Sequence, residues 1–206
     1  MLVLPTYLKD FGVYFPLQER WAPWKFLAQM QECIIAMLAN LETGYQVNGN
    51  VAIHHTALIE EGVVLKGPLI ISPGCFVGAH AYFRNGVFIG KGVSIGPGCE
   101  VKSSILLDGS RLAHFNFVGD SLIGSDVNME AGSVLANYHN DRDDKTIYLW
   151  DGMNYQISGT KKFGGLIGDH SRIGANAVCS PGTVLARHAI VRRLELVEQD
   201  RDRPRQ

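Results

Sequence analysis

Cysteine is scarce in this chain. Its four residues, Cys33, Cys75, Cys99 and Cys179, lie far apart, and none forms a Cys-x-x-Cys pair. That spacing argues against a disulfide framework or a zinc knuckle. Neither sign of charge is in excess, and the formal net charge is −1 at pH 7. Such a balance offers no broad basic field for nucleic acid or a membrane surface. No apolar run approaches the roughly 20 residues of a membrane span. The N-terminus lacks the charged and apolar regions of a signal peptide, so cytoplasm is the expected compartment. Glycine, by contrast, is abundant. Its 23 residues are spread through the chain, which suits frequent tight turns better than a flexible linker.

The glycines punctuate a count of six. From Ile53, steps of six reach Ile59, Leu65, Ile71, Val77, Phe83, Ile89, Ile95, Val101, Leu107 and Ala113, all apolar. The phase then slips through Val118 and resumes at Ile123, Met129 and Leu135. After a long interruption it returns at Ile167, Ile173, Cys179, Leu185 and Val191. A half-buried strand repeats every two residues and a helix every 3.6. A period of six fits a short strand and a turn, with one inward aliphatic per unit, stacked as a β-solenoid.

The flanks break the pattern. Residues 22–43, "APWKFLAQMQECIIAMLANLET", place Trp24, Leu27, Ile34, Leu38 and Leu41 at helical spacing, with Pro23 suited to a first turn and Gly44 to a stop. One amphipathic helix is predicted, capping the first coil or packing on a neighbouring subunit. The expected organisation is an N-terminal segment 1–48, a β-helix domain 49–195 with an insertion at 139–165, and a charged tail 196–206. Within the insertion, "TIYLWDGMNYQIS" alternates on both sides of Asp151-Gly152, which predicts a hairpin.

Three hexads make a coil of eighteen, so residues eighteen apart should stack. Lys66, Arg84 and Lys102 have that spacing and would form a column of cations. Like charges directly opposite destabilise a sheet unless they splay into water or share an anion. Both readings remain open from the residues alone. His114 follows Ala113 and should lie near a coil corner, as a structural histidine or as a general base.

The block "SRLAHFNFVGDSLIGSDVNMEAGSVLANY", residues 110–138, resembles the acetyltransferase domain of bifunctional N-acetylglucosamine-1-phosphate uridyltransferase / glucosamine-1-phosphate acetyltransferases. The stretch "SGTKKFGGLIGDHSRIGANAVCSPGTVL", residues 158–185, is similar to the C-terminal domain of archaeal-type sugar-1-phosphate nucleotidylyltransferases with acetyltransferase activity. The resemblance covers about residues 50–190. It implies a left-handed parallel β-helix of hexapeptide repeats, a homotrimer with sites between subunits, and acetyl-CoA as cosubstrate with no metal required for acetyl transfer. Residue by residue, it implies that His114 is the catalytic base and that Arg84 and Lys102 hold a substrate phosphate. Asn128 would bind the sugar, Ala131 would line the acetyl-CoA site, and Asn137 and Tyr138 would flank the thioester. Phe117 stands where the family has a sugar-binding tyrosine. Glu130 departs from the family's Gly-Ala-Gly. The family's loop lysine falls on Asp143 without a gap, or on Lys145 after a two-residue insertion.

The expected function is acetyl transfer from acetyl-CoA to the amino group of an amino-sugar-1-phosphate or sugar nucleotide. No nucleotidyltransferase activity is expected, because no Gly-rich sugar-nucleotide loop precedes the helix. The alternative is a non-catalytic sugar-phosphate- or nucleotide-binding scaffold, which Phe117 and Glu130 favour. A zinc enzyme of the β-helix type is the third reading, but the spacings of the seven histidines show no recognisable ligand pair.

Overall fold

The hexads close into a three-sided solenoid, a left-handed parallel β-helix, in the computed structural model, which describes residues 2–200. The first face stacks seven strands from Leu58–Ile59 to Ile190–Val191. The second runs from Val64–Leu65 to Leu196–Val197, and the third from Val51–His54 to Thr183–Leu185. Two longer strands, Tyr82–Ile89 and Glu100–Leu106, continue around the corner between the second and third faces. The inward residue of each hexad joins one interior column that includes Val77, Phe83, Ile89, Ile95 and Val101. Corners turn through a left-handed residue, such as Gly98, Phe115 and Gly132 on successive coils. The glycine after an inward aliphatic has a different cause. A Cβ on Gly96 would come within 1.5 Å of the Ala113 carbonyl oxygen, so only glycine lets the next coil approach.

The inward register departs from the steps of six two hexads earlier than the sequence suggests. Val118 pairs with Val101, and Leu106 and Leu112 point inward where Leu107 and Ala113 were expected. The cause is the corner after Lys102. It holds the single residue Ser103, whereas the previous coil has Asn85 and Gly86 at that place, and the ladder shifts register there. A second five-residue step separates Val118 from Ile123 at the corner residue Asp120. Leu107 is buried all the same, in a second apolar cluster outside the solenoid.

That outer cluster explains the flanks. The outward column of the third face reads Ala52, Ile70, Phe88, Ile105, Leu122, Leu166 and Val184, all apolar and all buried. A sheet apolar on both sides requires cover. Phe26, Met30 and Ile34 of helix Pro23–Leu38 supply it, with Phe11 and Phe15 from the preceding segment. The helix thus caps the solenoid from its flank and not over its first coil. The antiparallel strand Tyr45–Asn48 covers the edge of Val51–His54. Two four-residue helices, Leu4–Tyr7 and Phe11–Tyr14, precede the long one and are too short to show a helical period. The long helix stops at Leu38, where the Asn40 side-chain amide donates to the Ala36 carbonyl, six residues before the expected stop at Gly44.

The insertion forms the hairpin Tyr148–Trp150 with Tyr155–Ile157. Its Ile147, Leu149 and Phe163 extend the cover over Leu122, Leu166 and Val184. The Asp151 carboxylate accepts from the amides of Asn154 and Met153 and from Gln156 Nε2. These bonds, that from Asn154 foremost, lower its pKa to about 2. The solenoid continues through Leu196–Val197, within the segment expected to be a charged tail. Gln199 bonds to both backbone groups of Val184, and Asp200 is buried against Arg142. The rest of that tail, residues 201–206, lies outside the described residues.

Candidate functional site

The corner between the second and third faces carries the cationic column. Arg84 and Lys102 are register partners on adjacent strands. Each cation has its own neighbour, which resolves their mutual repulsion. Lys66 Nζ stands 5.1 Å from the centroid of the Tyr82 ring and does not line the cleft beside Arg84. Arg84 forks onto Glu100 Oε1, at 2.8 Å from Nε and 2.7 Å from the terminal nitrogen. Lys102 Nζ donates to Asp120 Oδ2 at 2.5 Å, with side-chain exposures of 9% and 15%.

These groups line an open cleft of about 500 Å³, formed by Arg84, Lys102, Phe117, Asn137, Tyr138 and Lys162. Arg84, Lys102 and Phe117 come from three successive coils, Asn137 and Tyr138 from the fourth and Lys162 from the insertion, so the solenoid stacking assembles them. Asn137 lies just before the insertion, and its side-chain amide donates to Asp120 Oδ2 beside Lys102. Three cations against two carboxylates, Glu100 and Asp120, leave the cleft one net positive charge.

Lys145 is not among the lining residues. Its ammonium sits 5.1 Å from the Tyr138 ring centroid and donates to the Arg142 carbonyl. Lys162 takes the cleft position, because the hairpin insertion separates it from Tyr138 in sequence while the fold returns it in space. Lys162 is exposed and makes no ion pair among the described residues. Sequence reasoning missed it, and missed Glu100 and Asp120. The signals were present: "KKF" just before the solenoid resumes, and the Gly-Asp that closes the His114 motif.

His114, Ala131 and Asn128 stand elsewhere. His114 occupies the corner between the first and second faces, after the inward Leu112. It is exposed, and its ring has no hydrogen-bond partner among the described residues. Its carbonyl accepts from Gly132 N at 2.8 Å, which puts Ala131 at the same corner one coil on. Within one chain, the Phe117–Gly119 strand separates His114 from Asp120. The five residue steps between the left-handed corner residues Phe115 and Asp120 span on the order of 15 Å.

Asn128 lies on the outer side of the first face, stacked between Arg111 and Arg172. It lines a second cleft of about 470 Å³ with Glu130, Arg172, Arg192 and Arg193. The carboxylate of Glu130 is fully engaged. Arg193 holds it bidentately at 2.6 and 2.7 Å, and Ala175 N donates at 2.8 Å. The Arg193 hydrogen bond, then the Ala175 amide, holds the Glu130 carboxyl below its usual pKa. Among the described residues, no group of three or more His, Cys, Asp or Glu side chains is placed to hold a metal ion. No helix among them is long and apolar enough to cross a membrane.

The family model described as the GMPPB C-terminal domain matches residues 65–148. The chain is 33% identical over 163 residues to a bifunctional sugar-1-phosphate nucleotidylyltransferase/acetyltransferase of Sulfurisphaera tokodaii, covering 79% of this chain and 40% of that protein. It is 28% identical over 182 residues to the bifunctional protein GlmU of Methanococcus vannielii, covering 86% of this chain and 43% of that protein. The chain thus spans less than half the length of these relatives. Among solved structures, a hexapeptide transferase family protein from Anaplasma phagocytophilum aligns over 71% of this chain and 72% of that one, with a TM-score of 0.40 at 14% identity. The sequence matches support the resemblance to the C-terminal acetyltransferase domain of the bifunctional proteins.

Proposed function

We propose that this chain is an acetyl-CoA-dependent acetyltransferase acting on the amino group of an amino-sugar-1-phosphate or sugar nucleotide. The observation that carries this reading is the convergence of Arg84, Lys102, Lys162, Asn137 and Tyr138 on one cleft. The cations suit a phosphate, and their placement fixes the acceptor for attack. Asn137 holds an amide N–H near the reacting carbonyl, where a donor stabilises the developing oxyanion. His114 takes the proton lost by the attacking amine.

The separation of His114 from this cleft within one chain requires a second copy. The second face supplies the surface for one. Its outward column reads Val64, Tyr82, Glu100, Phe117, Val134, Val178 and Leu196, six apolar residues and one carboxylate. Val64, Val178 and Leu196 are 42%, 37% and 59% exposed in the single chain. A cyclic trimer with this face toward its axis sets the His114 corner of one copy beside the Lys102 corner of the next. The site then forms between subunits.

The test is thiol release from acetyl-CoA against glucosamine-1-phosphate, galactosamine-1-phosphate and amino-sugar nucleotides, with His114→Ala alongside. Release with one acceptor, lost in a variant that keeps its oligomeric state, is the expected result. Near-normal release by His114→Ala overturns the assignment. The second reading, a non-catalytic sugar-phosphate binder, keeps one supporting observation: Phe117 brings no hydroxyl to the cleft. It predicts sugar-nucleotide binding without acetyl-CoA consumption. Glu130 no longer favours it, since Arg193 and Ala175 N hold that carboxylate.

A further inference from the structure

Asp120 was not expected to matter, yet it joins two halves of the cleft. One of its carboxylate oxygens, Oδ2, accepts from both Lys102 Nζ and Asn137 Nδ2. We propose that Asp120 is a positioning residue that couples phosphate binding at Lys102 to the orientation of Asn137, so that acceptor and acyl donor bind cooperatively. This inference rests on the acetyl-transfer reading above.

An ionised carboxylate only accepts, so the Asn137 group facing it is the NH₂ and not the carbonyl. One N–H is held by Asp120, and the other remains for the cleft. Lys102 carries three N–H donors, of which Asp120 takes one. The two donors therefore share one oxygen, and each draws on the same negative charge. An anion that draws the Lys102 ammonium into the cleft leaves that oxygen to Asn137 and tightens its hold. A fixed amide has already lost its rotational freedom when the acyl donor arrives. The surroundings keep this geometry. A Cβ on Gly119 would meet Asn137 Nδ2 at 2.8 Å, so the bare glycine leaves room for the amide. The Asp120 backbone is pinned independently of its side chain, donating to the Lys102 carbonyl at 2.8 Å and accepting from Gly164 N at 2.9 Å.

The variant is Asp120→Asn. Asparagine tolerates the left-handed conformation, φ 46°, that Asp120 adopts. It is neutral and keeps one accepting oxygen, so it removes the charge that strengthens the bonds from Lys102 and Asn137. The donor probe is the acetonyl thioether of coenzyme A, which keeps a carbonyl and cannot transfer it. Its dissociation constant is measured by calorimetry with and without saturating glucosamine-1-phosphate, and thiol release from acetyl-CoA is followed in parallel. In the native protein the sugar phosphate should tighten the probe about fivefold or more, the lower end of ordinary coupling. In Asp120→Asn the effect should fall below about twofold with the melting temperature and oligomeric state retained. Asn137→Ala, which leaves the Lys102–Asp120 pair in place, should lose the coupling too. Should Asp120→Asn not fold, that second variant decides the matter. Coupling that persists in a folded variant overturns the proposal. So does independent binding of the two ligands to a native protein that still releases thiol, a result that leaves acetyl transfer intact. Failure of the native protein to bind either ligand overturns both.

Discussion

Replacing Lys162 separates what the fold shows from the alignment that places the family's loop lysine on Lys145. Lys162 lines the cleft with Arg84 and Lys102, whereas Lys145 is turned onto the Tyr138 ring. Arg84 and Lys102 are poor probes of phosphate binding, because each is paired with a carboxylate. Removing either strands a negative charge and mixes two effects. Lys162 makes no ion pair among the described residues, so its loss removes attraction alone. A charge-assisted hydrogen bond is worth about 1.5–3 kcal/mol. The exposure of Lys162 weakens this through solvent screening, to about 1–1.5 kcal/mol. Since about 1.4 kcal/mol is tenfold, Lys162→Ala should raise the KM for the phosphorylated acceptor roughly five- to tenfold. The KM for acetyl-CoA should change little. Lys145→Ala should alter the acceptor KM by less than about twofold, because no direct contact with phosphate is lost. Steady-state thiol release with each substrate varied reads both numbers. A Lys145→Ala defect equal to or larger than that of Lys162→Ala refutes the placement.

Two further predictions concern the fold. Phe88 is 1% exposed and packs against Tyr14 and Phe15 at ring-centroid separations of 4.8 and 5.4 Å. Phe88→Ala should cost about 3–5 kcal/mol in chemical denaturation, and a loss under about 1 kcal/mol would contradict the packing of the N-terminal segment on the solenoid flank. The pKa of Asp151 is depressed to about 2 in the folded hairpin, so its stabilisation is present above the unfolded value and is lost as pH falls through about 2. Hydrogen exchange at Met153 and Asn154 should therefore accelerate, relative to an Asp151→Asn control, between about pH 4 and pH 2. Equal pH profiles for the two proteins would remove Asp151 as the anchor.

The solenoid was legible because one aliphatic in six is a period that neither helix nor strand shares. The column Arg84–Lys102 was legible for the same reason, since stacking in a regular coil is arithmetic. The first slip in that arithmetic was hidden at Leu107. A position outside the solenoid is apolar there because Leu107 joins the outer cluster, so hydrophobicity alone does not tell it from the inward Leu106. The outer cover was legible as a helix but not as to where it lands. That depends on Ile70, Phe88 and Ile105, which sit between inward residues and make the third face apolar on both sides. Lys162 was obscured by the hairpin, which lengthens the chain between it and Tyr138 without moving the cleft. Asp120 was overlooked because a lone acidic residue at a turn has an ordinary conformational reason to be there.

The central claim is that one site is built from the His114 corner of one copy and the Lys102 corner of another. Mixing His114→Ala and Lys102→Ala chains tests it most directly. Each variant alone should be inactive. Unfolded together at equal concentration and refolded, they should regain about one quarter of native thiol release, the share of interfaces at which random assembly joins two intact corners. Folded mixed oligomers with no activity above either parent would contradict the claim.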